Sequence, residues 1–197
     1  MNDGCRGCAF CGAFSGAAQA AAQAGGGGGD DYSAWYPPPG SERKPVTHVS
    51  LEDARAYCAA QGKRLPHSWE WQYAAQGTDG RPWPWGFTDD KTGYKRPKLG
   101  SGHIYLGPAD VDAHSPQGDS PFGVASMVGN VWQYTDEFQD AHTRAVMLRG
   151  GSNYLPSGSK WYFPQAQRND QHEKYFLMGG SYERAGALGF RCAQDAQ

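Results

Sequence analysis

Long apolar runs are missing from this 197-residue chain. None approaches the about 18 consecutive apolar residues that a membrane-spanning helix needs. No basic segment leads into an apolar stretch at the amino terminus, so a secretory leader is not expected and a cytoplasmic location is the default. An excess of charge is missing too. Lys and Arg number 18 against 20 Asp and Glu, a net charge of −2. That balance gives no field for nucleic acid or an anionic membrane, and neither partner is expected. No His-x3-His or His-Glu-x2-His pairing occurs among the scattered histidines. Asp112 and His114, two apart, are too few for a metal site. Ser152 has no Gly-x-Ser-x-Gly elbow around it, and Gly25 to Gly29 lack the Lys-Ser or Lys-Thr of a phosphate loop.

What is plentiful is glycine (28), proline (13), tryptophan (7) and tyrosine (11), while Leu, Ile and Val are sparse. Such a composition predicts a loop-rich domain stabilised largely by aromatic rings. Residues 1–43 read as an Ala/Gly-rich tail and linker, and residues 44–197 as the domain. Tyr32, Trp35 and Tyr36, before Pro37 to Pro39, are either a docking arm or a few exposed rings. Cys5, Cys8 and Cys11 form a Cys-x2-Cys-x2-Cys run. A tetrahedral metal or cluster site would need a fourth ligand, and only Asp3 is near, so incidental thiols in a tail are the preferred reading.

Within the domain, Ser50-Leu-Glu-Asp53 reads as a capping box. Leu51, Ala54 and Cys58 then fall on one helical face, and Gly62 stops the helix. A second helix follows Pro66, capped by Ser68 or His67, with Trp71 and Ala75 on one face and Gly77 at its end. Residues 77–125 are crowded with turn formers and predict loops. Strands are expected at Val131–Thr135, Ala145–Arg149, Tyr175–Met178 and Gly189–Ala193.

Four segments carry a family resemblance: Pro45-Val-Thr-His-Val-Ser-Leu-Glu-Asp-Ala-Arg-Ala-Tyr-Cys58, Gly62-Lys-Arg-Leu-Pro-His-Ser-Trp-Glu-Trp-Gln-Tyr-Ala-Ala75, Met127-Val-Gly-Asn-Val-Trp-Gln-Tyr134, and Leu148-Arg-Gly-Gly-Ser152 with Gly189-Phe-Arg-Cys-Ala193. Over residues 44–194 the chain resembles the sulfatase-modifying-factor family, which includes the formylglycine-generating enzymes that oxidise a sulfatase cysteine. The resemblance implies an α+β, C-type-lectin-like fold, loop-rich, with two helices and short antiparallel strands. Family members usually have strands and a helix before the equivalent of Pro45. A Gly-rich segment stands there instead, so the domain would lack its usual amino-terminal portion: either a truncated product, a fragment, or a minimal version that needs a protein partner to cover its sheet.

The resemblance also assigns residues. Cys58 and Cys192 match a pair bridged in some members; the alternative is two buried free thiols. Arg64 and Glu70 match a buried scaffold pair. Ser126, Gly129, Val131 and Gln133 align with a calcium-binding segment, but Ser126 stands for an Asn and Gln133 for a Glu. Calcium wants six to eight oxygens and carboxylate charge, so it is only a weak expectation, and no other cofactor is implied. The loop after Gly-Gly-Ser lines the family's substrate site. Here that site would comprise Trp132, Ser152, Tyr154, Trp161, Tyr162, Gln165 and Arg168. Rings with amide and guanidinium tips suit a small polar or peptide ligand, although Trp161 and Tyr162 read equally as core. No catalytic residue is assigned, because Leu155 and Lys160 stand where the redox cysteines belong. The expected function is therefore a non-catalytic ligand-binding domain. The alternative is an oxidoreductase of the formylglycine-generating or ergothioneine/ovothiol sulfoxide-synthase type, acting with a partner domain.

Overall fold

The structure is a computed structural model and describes residues 40–100, 107–142, 144–154, 167–176 and 186–195. Helix α1 spans Leu51–Ala60. Its start is the expected capping box: the Asp53 amide donates to Ser50 Oγ at 3.1 Å, and the Ser50 amide donates to Asp53 Oδ2 at 3.0 Å. Its buried face is Leu51, Ala54 and Cys58. Helix α2 spans Ser68–Gln76, with His67 at its cap position. The His67 amide donates to Glu70 Oε2 at 2.8 Å, which satisfies one of the open amides of the first turn. The helix ends at Gly77, where φ is +67° and a Cβ would come within 2.8 Å of the Pro121 ring. Between α2 and residue 125 the described chain forms turns and loops, broken only by an isolated bridge between Trp83 and Gly86.

Four strands follow: β1 Trp132–Phe138, β2 Ala145–Arg149, β3 Glu173–Phe176 and β4 Leu188–Gly189. They lie in the order β3-β2-β1-β4. β2 runs antiparallel to both neighbours, but β4 pairs with β1 in parallel, unlike the expected antiparallel set. β4 is also shorter than the expected 189–193. Beyond Gly189 the chain alternates between two layers: Phe190 and Cys192 enter the core, while the Arg191 side chain reaches Gln133. Ala193 then pairs with Arg64 through two backbone hydrogen bonds of 3.0 and 2.7 Å.

Strand period divides the sheet into two unlike faces. Trp132 and Tyr134 of β1 and Val146 and Leu148 of β2 pack with Leu51, Ala54 and Cys58 of α1 and with Leu188 and Phe190. The opposite face carries Gln133, Thr135 and Arg149, all buried and all polar. α2 covers it with Trp71, whose own apolar cluster includes Ala74, Ala75, Val124, Met127 and Val128. Among the described residues no helix is long and apolar enough to cross a membrane.

Cys58 and Cys192 are bridged, across a sequence separation of 134 and with their Cα atoms 5.5 Å apart. The bridge ties α1 to the segment after β4. Closing so long a loop restricts the unfolded chain by about 5 kcal/mol in the chain-entropy model, an upper figure. Thermal melts with and without reductant test this. The wild-type midpoint should fall on reduction, and the Cys58→Ala/Cys192→Ala double variant should melt low in both conditions.

Candidate functional site

The site is built where two glycine-containing turns meet. β2 ends in Arg149, and the chain turns through Gly150 and Gly151, with φ of +91° and +69°. A Cβ at Gly150 would lie 2.6 Å from the Met127 carbonyl oxygen, so only glycine lets the two segments close. They are joined by backbone bonds: the Gly129 amide donates to Gly150 O at 3.0 Å, and the Asn153 amide donates to Asn130 O at 3.3 Å. Asn130 in turn holds the Ala109 peptide from both sides, accepting at 2.9 Å and donating at 3.1 Å.

The two ends of the loop after Gly-Gly-Ser are pinned together. Gln167 Nε2 donates to Ser152 O at 2.5 Å, and Gln167 Oε1 accepts from Arg96 Nη1 at 2.8 Å. Arg96 is buried, with Asp89 at 3.1 Å as its carboxylate partner. It is delivered by a loop organised around Asp90. Burial alone would raise the Asp90 carboxyl, yet it is held well below the usual carboxylate range. The Thr92 hydroxyl and the amides of Lys95, Thr92 and Arg96 all donate to it and outweigh desolvation. Two buried polar atoms beside the turns have no hydrogen-bond partner among the described residues: Arg96 Nε and Asn153 Oδ1.

Arg149 anchors the returning end of the loop. Its Nε donates to Ser68 Oγ at 2.6 Å, its Nη2 to Gln72 Oε1 at 3.1 Å, and its Nη1 to the carbonyls of Asn169 (3.2 Å) and Gln171 (3.0 Å). The guanidinium also lies 5.9 Å from the Trp71 ring centroid. Desolvation lowers its pKa, partly offset by the charges of Glu137 and Asp170. Replacing Arg149 by Met strips four acceptors of their donor. A loss of about 2–4 kcal/mol is expected in chemical denaturation.

The residues proposed for ligand contact separate in the structure. Trp132 is packed in the core between α1 and the sheet, not exposed to a pocket. Ser152 is buried, and its Oγ accepts from the Tyr154 amide at 3.3 Å. Tyr154 is half-buried at the start of the loop. Arg168 is exposed at the other end, forked onto Asp170 (3.0 and 2.9 Å) and 5.7 Å from the Trp83 ring. Trp161, Tyr162 and Gln165 lie outside the described residues, as do Leu155 and Lys160. A groove of about 640 Å³ opens elsewhere, beside the end of β1, lined by Glu52, Arg55, Phe138, Asp140, His142 and Arg144 among others. Its charges are of both signs and Arg55 is committed to Asp136, so it offers no single ligand chemistry.

Arg64 and Glu70 form the expected pair, two-pronged at 2.6 and 2.7 Å, but it is half-buried rather than buried and Asp195 joins it from the surface. Arg64 is a third exposed because it lies where the start of α2 meets the carboxy-terminal segment. Its hydrogen bonds hold the Glu70 carboxyl below its ordinary 4.5. A depressed carboxyl contributes stability above the unfolded value and loses it as pH falls. Glu70→Gln should therefore cost about 1–2 kcal/mol at neutral pH. The gap to wild type should close as the pH of the melt is taken well below 4.5.

The calcium expectation does not fit the side chains present. Ser126 Oγ donates to Val111 O at 2.6 Å, so it is turned away as a donor. Gln133 uses its whole amide. Nε2 donates to Met127 O at 2.9 Å and Ser126 O at 3.3 Å; Oε1 accepts from Trp71 Nε1 at 2.8 Å and Arg191 Nε at 2.6 Å. Arg191 Nη2 adds contacts to the carbonyls of Ala125 (3.2 Å) and Ser126 (3.1 Å). Enclosure pulls Arg191 down to about 10, which leaves it a cation at neutral pH. Among the described residues no group of three or more His, Cys, Asp or Glu gathers to offer a dication the carboxylate charge it wants.

Sequence reasoning quoted Asn130, Arg149 and Arg191 inside motifs but gave them no role. It missed Arg96 and Asp89 altogether. They reach the site from loops whose composition marks turns and nothing more.

The fold is that of a lectin-like α+β domain of the formylglycine-generating-enzyme kind. The chain belongs to the sulfatase-modifying factor enzyme 1-like domain family, whose model matches residues 22–196. It is 37% identical over 163 residues to the inactive C-alpha-formylglycine-generating enzyme 2 of Bos taurus, covering 77% of this chain and 50% of that protein. It is 30% identical over 174 residues to the formylglycine-generating enzyme of Bos taurus, covering 77% and 44%. The chain thus spans about half the length of the curated relatives it matches. In fold it is similar to PvdO from Pseudomonas aeruginosa, with a TM-score of 0.57 and 21% identity over 78% of this chain and 63% of that one.

Proposed function

We propose that this chain is a non-catalytic member of its family that holds a small polar or peptide ligand against the loop between Ser152 and Arg168. The proposal is carried by the pair Leu155 and Lys160, which the family resemblance sets where the oxidising relatives place thiols. Neither side chain can bind copper(I) through sulfur or pass electrons by thiol–disulfide exchange. The two described cysteines, Cys58 and Cys192, are joined to each other and supply no free thiolate. Similarity to relatives named as inactive enzymes is further support.

The ligand half of the proposal rests on the frame. A loop whose ends are clamped by Gln167, Arg96 and Arg149 loses less entropy on binding than a free one. Asn153 Oδ1 and Arg96 Nε, buried without partners among the described residues, suit a ligand carrying both a donor and an acceptor. Tyr154, Trp161, Tyr162, Gln165 and Arg168 would supply flat apolar contact with polar tips.

A Cys-x-Pro-x-Arg peptide incubated with the protein, copper and oxygen tests both halves. No aldehyde above the protein-free control is expected by mass spectrometry. Anisotropy of the labelled peptide should show binding that Trp161→Ala weakens about tenfold or more. Protein-dependent aldehyde would restore the oxidase reading. An unchanged affinity in Trp161→Ala would remove the loop from the site.

A further inference from the structure

The carbonyls of Ala125, Ser126 and Met127 turn inward together, and the groups that meet them belong to the chain itself. Gln133 Nε2 reaches two of them, at 3.3 and 2.9 Å, and Arg191 Nη2 reaches Ala125 and Ser126, at 3.2 and 3.1 Å. The arrangement is closed. Gln133 Oε1 is held between Trp71 Nε1 and Arg191 Nε, so the amide cannot flip without setting oxygen against oxygen. Glycine is required at 150 because a Cβ would press on both Met127 O and Gln133 Nε2, at 2.6 and 3.1 Å. Ser126 itself sits at a φ of +51°, a conformation that ordinary residues adopt only when their surroundings enforce it.

We propose that the Gln133 amide and the Arg191 guanidinium form a built-in cation seat, which does for the 125–133 segment what a bound calcium ion would do. The donor on Gln133 is the decisive group. A carboxylate at that position would place an acceptor against the carbonyls of Ser126 and Met127 and would require a cation between them. An amide needs none. The positive charge is supplied by Arg191, tethered through the chain and therefore present at any ion concentration. The segment that frames Gly129 and Gly150 is in consequence independent of calcium, whatever ligand the neighbouring loop takes.

Thermal melts of the full chain in chelator and in millimolar calcium test the proposal. The wild-type midpoint should be the same in both. Gln133→Glu, which keeps the acceptors and loses both donors, should melt about 4–8 °C lower than wild type in chelator. Should that variant fail to fold, Gln133→Asn, too short to reach the carbonyls, should show the same fall. A wild-type midpoint that rises with calcium or drops with chelator overturns the proposal. So does a variant that melts in chelator within a degree of wild type.

Discussion

A strand buried on both faces must do something with the side chains that point away from the apolar core. β1 meets this constraint with Gln133, and most of the site's geometry depends on it. One amide joins α2 through Trp71, the segment after β4 through Arg191, and the 125–127 turn through two carbonyls. A methionine of similar volume would fill the space but bind none of these. The three segments come from distant parts of the sequence, and among the described residues no strand pairing joins them to one another. Their relative placement is therefore set by directional bonds, in a low-dielectric layer where each unmade bond is costly.

Arg149 solves the same problem one strand away, directly across from Gln133 in the β1–β2 pairing. It is a buried cation without a hydrogen-bonded carboxylate in the described residues, held by two carbonyls, an amide oxygen and a hydroxyl. Neutral acceptors distribute its charge without the second desolvation penalty that a carboxylate would bring. The arrangement also serves position. Because Arg149 immediately precedes Gly150, the residue that anchors the far end of the loop is the one from which the loop departs. Start and finish are measured from a single point.

The helices were legible because their signals are local. Ser50 and Asp53 are three residues apart, and Gly62 and Gly77 lie next to the ends they stop. β2 was legible to the residue, since a short apolar run, Ala145 to Leu148, is bounded by Arg144 before it and by Arg149 and two glycines at its end. β4 was not. Gly189-Phe-Arg-Cys-Ala193 reads as a strand by alternation, and it does alternate between layers, but only its first residue pairs with β1. Periodicity reports which way side chains point and is silent about which partner lies alongside. The same limit hid the site. Arg96 and Asn130 act through contacts 20 or more residues away, and a charged residue in a turn-rich loop reads as solvated until the fold encloses it. The Cys58–Cys192 bridge was left open for a related reason, because pairing over 134 residues has no local signature.

Trp132 shows how a resemblance can carry a residue to the right place with the wrong assignment. Its segment does border the Gly-Gly-Ser turn, through Gly129 and Gly150. Yet strand alternation sends Trp132 to the α1 face and Gln133 to the α2 face, so the ring belongs to the core and the amide to the site's frame. A one-residue difference decides the role, as it must where the side-chain period is two. The frame and the chemistry are correspondingly separable. Gly129, Gly150, Gln133 and Arg149 hold the turns by shape and by hydrogen bonds to partners among the described residues.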